Sequence, residues 1–151
     1  MKIPQNPQYV LFGGSFVLAN KLQLVAGQKV QGLSTKQWFL LRTLKDLPAD
    51  PPPTITALAK ETDTSRQNVS KMLEALQRQG YVVLQDSAND HRSQTVTLPP
   101  AGHAVLQQMA RQATPFFDEL FDGISPKECA AAAGVVVRLI ENLYRMQGEG
   151  E

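Results

Sequence analysis

The sequence has a single cysteine, Cys129, which excludes an internal disulfide and leaves too few thiolates for a cysteine-based zinc site. Lone-thiol usage fits a reducing cytoplasm. Histidine is nearly as scarce: His91 and His103 are the two present, too few for an imidazole-based metal site, and no metal or other cofactor is expected. There is no Gly-rich phosphate loop, no nucleophile elbow and no dense group of His and carboxylates, so the inventory argues against an enzyme. The longest uninterrupted apolar runs, Phe39 to Leu41 and Val135 to Val137, are far too short to cross a bilayer. The N-terminus carries one Lys and two Pro and no signal-type apolar core, which points to a cytoplasmic protein without a membrane partner. Charge of one sign is also lacking. Fifteen Lys and Arg oppose fourteen Asp and Glu, leaving a net charge of +1, so any basic surface must be local.

What is present is helical periodicity. Tyr9 to about Gln28 places Phe12, Phe16, Ala19, Leu22, Val25 and Ala26 at three- and four-residue steps, one apolar stripe of a helix whose start Gly13 and Gly14 weaken. Ser34 or Thr35 caps a second helix to about Leu47, with Trp38, Leu41 and Leu44 inward, flanked by Phe39 and Leu40. The prolines between Pro48 and Pro53 break it. Thr54 caps a short helix with Ile55, Leu58 and Ala59 inward, and Asp63 suits the left-handed conformation of a tight turn. Ser65 caps a longer helix with Val69, Met72, Leu73 and Leu76 inward, ended by Gly80. Tyr81 to Asp86 and Gln94 to Leu98 read as two strands around the polar loop Ser87 to Ser93, a β-hairpin. Pro100 starts a helix to about Phe121 that Pro115 should kink or divide. Ser125, Pro126 and Glu128 form a capping box for a last helix to about Met146.

The stretch from Thr54 to Leu98 carries the functional signal. A short helix, a tight turn, a polar-faced helix and a hairpin make a helix-turn-helix with a wing. The second helix of that motif enters the major groove, so its exposed N-terminal part should carry compact donors and acceptors. Ser65, Arg66, Gln67, Asn68, Ser70 and Lys71 fit: Arg66 can reach guanine, Gln67 or Asn68 adenine, and Ser hydroxyls and Lys71 phosphates. A solvated helix face is the bland alternative for this helix alone. The hairpin tip adds Asp90, His91 and Arg92, where Asp90 can hold the loop while Arg92 reaches a narrow, strongly negative minor groove and His91 contacts phosphate.

These segments together resemble the MarR family of bacterial transcription regulators. The resemblance rests on ITALAK (Ile55 to Lys60), TSRQNVSKMLEALQRQGYV (Thr64 to Val82) and NDHRSQTVTLPPAG (Asn89 to Gly102), where Asp90, Arg92 and Ser93 fill the family's wing signature. It implies a mainly α fold with a small β-hairpin: a winged helix-turn-helix part over 33–99, flanked by N- and C-terminal dimerisation helices over 8–28 and 100–147. It also implies a homodimer on double-stranded DNA, a repressor as the expected role, and a small aromatic or phenolic effector. Three departures stand out: Asp63 and Thr64 replace a Gly and an aliphatic residue in the turn, Pro99 and Pro100 replace the usual cap, and the wing is poor in basic residues. Between Ser65 and Gln79, Arg66, Lys71 and Arg78 oppose Glu74, a modest excess that calls for two half-sites.

For the effector the matching aromatics are Tyr9, Phe12, Phe16 and Trp38, with Phe116 or Phe117 beside them, although aromatics at helical spacing are ordinarily core. Cys129, in the first turn of the last helix, invites a redox reading, but the chain has no second cysteine to resolve an oxidised form. A rival reading is a helical dimeric interaction or ligand-binding protein that keeps a degenerate winged helix and binds no specific DNA. The near-neutral charge is its support.

Overall fold

The computed structural model describes residues 6–88 and 93–148. Among these residues, six helices and one two-stranded sheet follow in the order α1 (Pro7–Lys29), α2 (Thr35–Asp46), α3 (Ile55–Glu61), α4 (Arg66–Arg78), β1 (Val83–Asp86), β2 (Gln94–Thr97), α5 (Pro100–Leu120) and α6 (Pro126–Gln147). The chain divides into two compact units, Met1–Phe116 and Phe117–Glu151.

The helix starts follow from side-chain oxygens that satisfy otherwise orphaned backbone N–H groups. Ser34 accepts from the Gln37 N–H while the Gln37 side chain accepts from the Ser34 N–H, a reciprocal box. Thr54 accepts from Ala57 N–H and Ser65 from Asn68 N–H. Between the two, Asp63 takes φ 47°, a left-handed conformation an Asp tolerates, and the turn closes with Thr64 N–H donating to Ala59 O at 3.0 Å. Replacing Gly by Asp there leaves the turn tight.

The first unit is built on a single apolar cluster. Leu40 and Leu41 from α2, Leu58 from α3, and Val69, Leu73 and Leu76 from α4 are sealed from solvent together with Val82 and Val96. Val105, Leu106 and Met109 of α5 close it. On α2 the buried face is Leu40, Leu41 and Leu44; Trp38 is only partly buried and Phe39 is exposed, so the inward face is narrower than the sequence pattern suggests. The hairpin pairs antiparallel in the register Leu84 with Val96 and Gln85 with Thr95. Both strands are one or two residues shorter than the β-forming runs: Tyr81 N–H turns back to Leu76 O at 2.9 Å, and Leu98 follows the last paired residue. The proline run does more than stop α2. Val96 N–H donates to Pro53 O at 2.9 Å and Thr54 bridges Thr95, so the segment before α3 lines the hairpin as a third edge. Proline lacks a donor but keeps its carbonyl, which is all this pairing asks of it.

Glycine at 102 is required by the seating of α5 on the hairpin. A Cβ there would lie 2.3 Å from Tyr81 O and 2.5 Å from Leu98 Cδ1. Further along, α5 runs as one helix through Pro115, so of the kink or division expected there the division does not occur. A proline inside a helix removes one backbone hydrogen bond, which a long helix tolerates.

Two helices depart from expectation in burial. α1 begins at Pro7, capped by Asn6, and holds its first turns despite Gly13 and Gly14. Its apolar residues are not confined to a stripe: Leu11, Val17, Leu18 and Leu24 lie outside the expected face, and none of its residues is buried. Within the expected stripe Leu22, Val25 and Ala26 are partly covered, whereas Phe12, Phe16 and Ala19 are exposed. α1 is also long and apolar enough, by length and composition, to cross a membrane, which a count of uninterrupted apolar runs does not reveal. In the second unit Phe117 and Phe121 stack at 6.1 Å, and α6 buries nothing although Val136, Leu139, Ile140 and Leu143 share one stripe at helical spacing.

Candidate nucleic-acid interface

The polar face of α4 is positioned by its apolar one. Val69, Leu73 and Leu76 are locked into the core, which turns Gln67 and Lys71 outward on the opposite side of the same helix, while Arg66 is exposed in the first turn, ahead of the buried stripe. Ser65 is committed as the cap, its hydroxyl accepting from Asn68 N–H at 3.3 Å. That use holds the helix N-terminus in shape and also occupies one lone pair of the hydroxyl proposed for contact. Ser70 is half-buried, at the edge of the face. Among the described residues no ion pair or side-chain hydrogen bond engages Arg66, Gln67, the Asn68 amide or Lys71. An unpaired guanidinium, two amides and an ammonium on the exposed surface of the first turns of one rigid helix can donate to base edges and to phosphates.

Beside this face lies a cleft of about 410 Å³. Lys36, Phe39 and Leu40 of α2 form one wall; Thr62 and Thr64 of the turn and Asn68, Lys71 and Met72 of α4 form the other. Sequence periodicity does not single out Lys36, because the cleft residues outside α2 are 26 or more residues away in the chain and only the fold unites them with it.

The wing residues Asp90, His91 and Arg92 lie outside the described residues. The hairpin's base is described, and Ser87 N–H donating to Ser93 O at 2.8 Å closes it on either side of them. The candidate effector aromatics do not form an ordinary core. Tyr9, Phe12 and Phe16 are 68%, 69% and 61% exposed, with Phe12 and Phe16 in edge contact at 5.4 Å, while Trp38 packs against the buried cluster. Phe116 also packs on that cluster. Cys129 is partly buried.

The MarR family model matches residues 31–93, the α2-to-hairpin segment just described. This segment is similar to the MarR family. Across more of its length the chain is similar to the transcriptional activatory protein BadR of Rhodopseudomonas palustris, at 24% identity over 139 residues, covering 90% of this chain and 79% of that protein. The fold matches Sco3205, a MarR family transcriptional regulator from Streptomyces coelicolor solved in complex with DNA, with a TM-score of 0.78 at 22% identity, covering 93% of this chain and 91% of that one. It also matches the PcaV transcriptional regulator of Streptomyces coelicolor, solved with its natural ligand, with a TM-score of 0.77 at 15% identity over 93% and 96% of the two chains. The fold class is therefore the winged-helix one: mostly helical, with one small antiparallel sheet among the described residues.

Proposed function

We propose that this chain is a member of the MarR family: a sequence-specific, double-stranded DNA-binding transcription regulator that works as a homodimer and not as an enzyme. The observation that carries the reading is the division of α4, sealed on Val69, Leu73 and Leu76 and unpaired on Arg66, Gln67, Asn68 and Lys71. A helix held this rigidly presents base-reading groups without having to order them on binding. Arg66 reads a base edge, Gln67 and Asn68 add amide contacts, and Ser65, Ser70 and Lys71 hold phosphates. Arg92 and His91 extend contact into the neighbouring groove from a wing whose tip Asp90 shapes.

The dimer is supported by the exposed apolar surface of α1 and α6, which water would leave unfavourably solvated. Repression follows from occupancy, since a dimer lying across a promoter blocks access to it. One relative at 24% identity is named as an activatory protein, which keeps activation as the alternative sign. A small aromatic or phenolic effector fits Tyr9, Phe12, Phe16 and Trp38 once a second copy covers α1, and its binding would release DNA.

The test is polarisation binding to DNA from upstream of the chain's own gene, with a scrambled duplex as control. Wild type should prefer the native duplex. Arg66→Ala should lower that affinity by about 1–3 kcal/mol and relax preference at one base position per half-site. Arg92→Ala should remove most of the specific binding while leaving the dimer intact. Equal affinity of wild type for both duplexes overturns the reading in favour of an interaction protein.

A further inference from the structure

We infer that Lys36, on α2, is a second phosphate clamp, which together with Lys71 and Asn68 seats the DNA backbone in the cleft beside α4; this rests on the DNA-binding reading above. The cleft is lined by two lysines and no Asp or Glu, so it gathers a local positive charge twice the net charge of the whole chain. Neither ammonium is in an ion pair among the described residues. The hydroxyl protons of the cleft are already used: Thr62 donates to Leu58 O at 2.8 Å and Thr64 to Thr62 O at 3.0 Å. The free donors are therefore the Lys36 and Lys71 ammoniums and the Asn68 amide, a set suited to an anion with several oxygens. Asn68 and Lys71 also belong to the face proposed for the major groove, and a helix in that groove is bordered by phosphates.

The exposure of these groups decides between a duplex backbone and a small organic anion. Lys36, Phe39, Asn68 and Lys71 are all exposed, whereas a small ligand is held where most of its surface is buried. Exposed, freely hydrated ammoniums suit a polyanion that approaches from solvent and binds by counterion release.

The experiment is salt-dependent binding of the full chain to operator and scrambled duplexes, for wild type, Lys36→Ala, Lys36→Arg and the control Lys45→Ala on the same helix. Each lost phosphate contact lowers the slope of log affinity against log salt by about 0.9, so a dimer should lose about 1.8. The ratio of wild-type to Lys36→Ala affinity should then shrink roughly 12-fold between 50 and 200 mM salt, equally on both duplexes. Lys36→Arg should retain the slope and Lys45→Ala should match wild type. Thermal midpoints check that the exposed substitutions leave the fold intact. An unchanged slope for Lys36→Ala while wild type still binds its operator overturns the inference and leaves the DNA-binding reading standing. A loss confined to the operator also overturns it, because Lys36 would then read a base. So does Lys36-dependent binding of benzoate with the DNA slope unchanged, which makes the cleft a small-anion site. Failure of wild type to bind either duplex removes the proposed function and this inference with it.

Discussion

α4 and α6 are both amphipathic and both start at a serine cap, yet they end in opposite situations. α4, at 13 residues, buries Val69, Leu73 and Leu76 completely; α6, at 22 residues, carries a longer apolar stripe and buries none of it. Local propensity and capping do not separate them. What separates them is whether the same chain provides the opposing surface. α4 meets α2, α3 and the hairpin inside one cluster, and helix stability comes mainly from such packing. α6 and α1 carry apolar surface that the single chain does not cover, and the proposed partner for it is a second copy.

The largest effect that would break this contrast is on α6. Leu143 is 57% exposed in the single chain. If a second copy buries it, Leu143→Asp removes about 1.5–3 kcal/mol from each copy, or about 3–6 kcal/mol per dimer, and raises the dimer dissociation constant by roughly two to four orders of magnitude. Sedimentation velocity across a dilution series measures it. A wild-type monomer at micromolar concentration, or a variant that dimerises equally well, removes the dimer from the proposal.

The counterpart is Leu73→Ala on α4. Here the side chain is fully buried within one chain, so the substitution should destabilise folding by about 2–5 kcal/mol through lost burial and the cavity left behind. Its shift in denaturation midpoint should not depend on protein concentration beyond the wild-type dependence, whereas the effect of Leu143→Asp should. If both variants show the same concentration dependence, the distinction between self-sufficient and partner-dependent helices fails.

How much of this was legible in the sequence divides along the same line. Thr54, Ser65 and Ser125 were readable as caps, and Ser34 as one of two candidates with Thr35, because each acts on an N–H three residues away, and Asp63 was readable as the turn because left-handed backbone restricts residue choice locally. The unpaired face of α4 was readable for the same reason. Lys36 was not, since its place beside Lys71 depends on α2 packing across α4. Pro53 reads as a breaker, and its carbonyl's partnership with Val96 depends on where the hairpin folds back. The periodicity of α1 promises a stripe on a core, but periodicity marks apolar residues without naming what covers them. The wing signature is the reverse case: Asp90 and Arg92 are conspicuous in sequence and lie outside the described residues.

A smaller effect sharpens the boundary of the self-sufficient unit. Gly102→Ala forces a methyl against Tyr81 O and Leu98, where one neighbour is backbone and cannot rotate away. Overpacking of this kind costs about 1–3 kcal/mol. Urea unfolding should show it as a lower midpoint with an unchanged slope. A variant as stable as wild type would mean that the start of α5 can shift off the hairpin without loss.

The smallest expected effect lies at the start of α6, where no burial contributes. Glu128 accepts from the Ser125 hydroxyl at 2.6 Å and from the Ser125 N–H at 2.8 Å, and these bonds hold its carboxyl below the ordinary value of 4.5. A depressed folded pKa means that the carboxylate's contribution is fully present above the ordinary value and is lost as pH falls through the folded one. The loss therefore belongs to the acid side of 4.5, with no change near neutrality. Glu128→Gln keeps a side chain that can complete the capping box but cannot titrate. Helicity followed by circular dichroism from neutral pH down through the carboxylate range should match wild type at the start. The two should part only on the acid limb, where wild type loses signal that the variant keeps. Because the group is solvent-exposed the difference will be slight, so it is best read as a difference between the two titrations. Superimposable curves would assign the acid response to other carboxylates and leave Ser125, with its hydroxyl on the Glu128 N–H, as the sole working half of the cap.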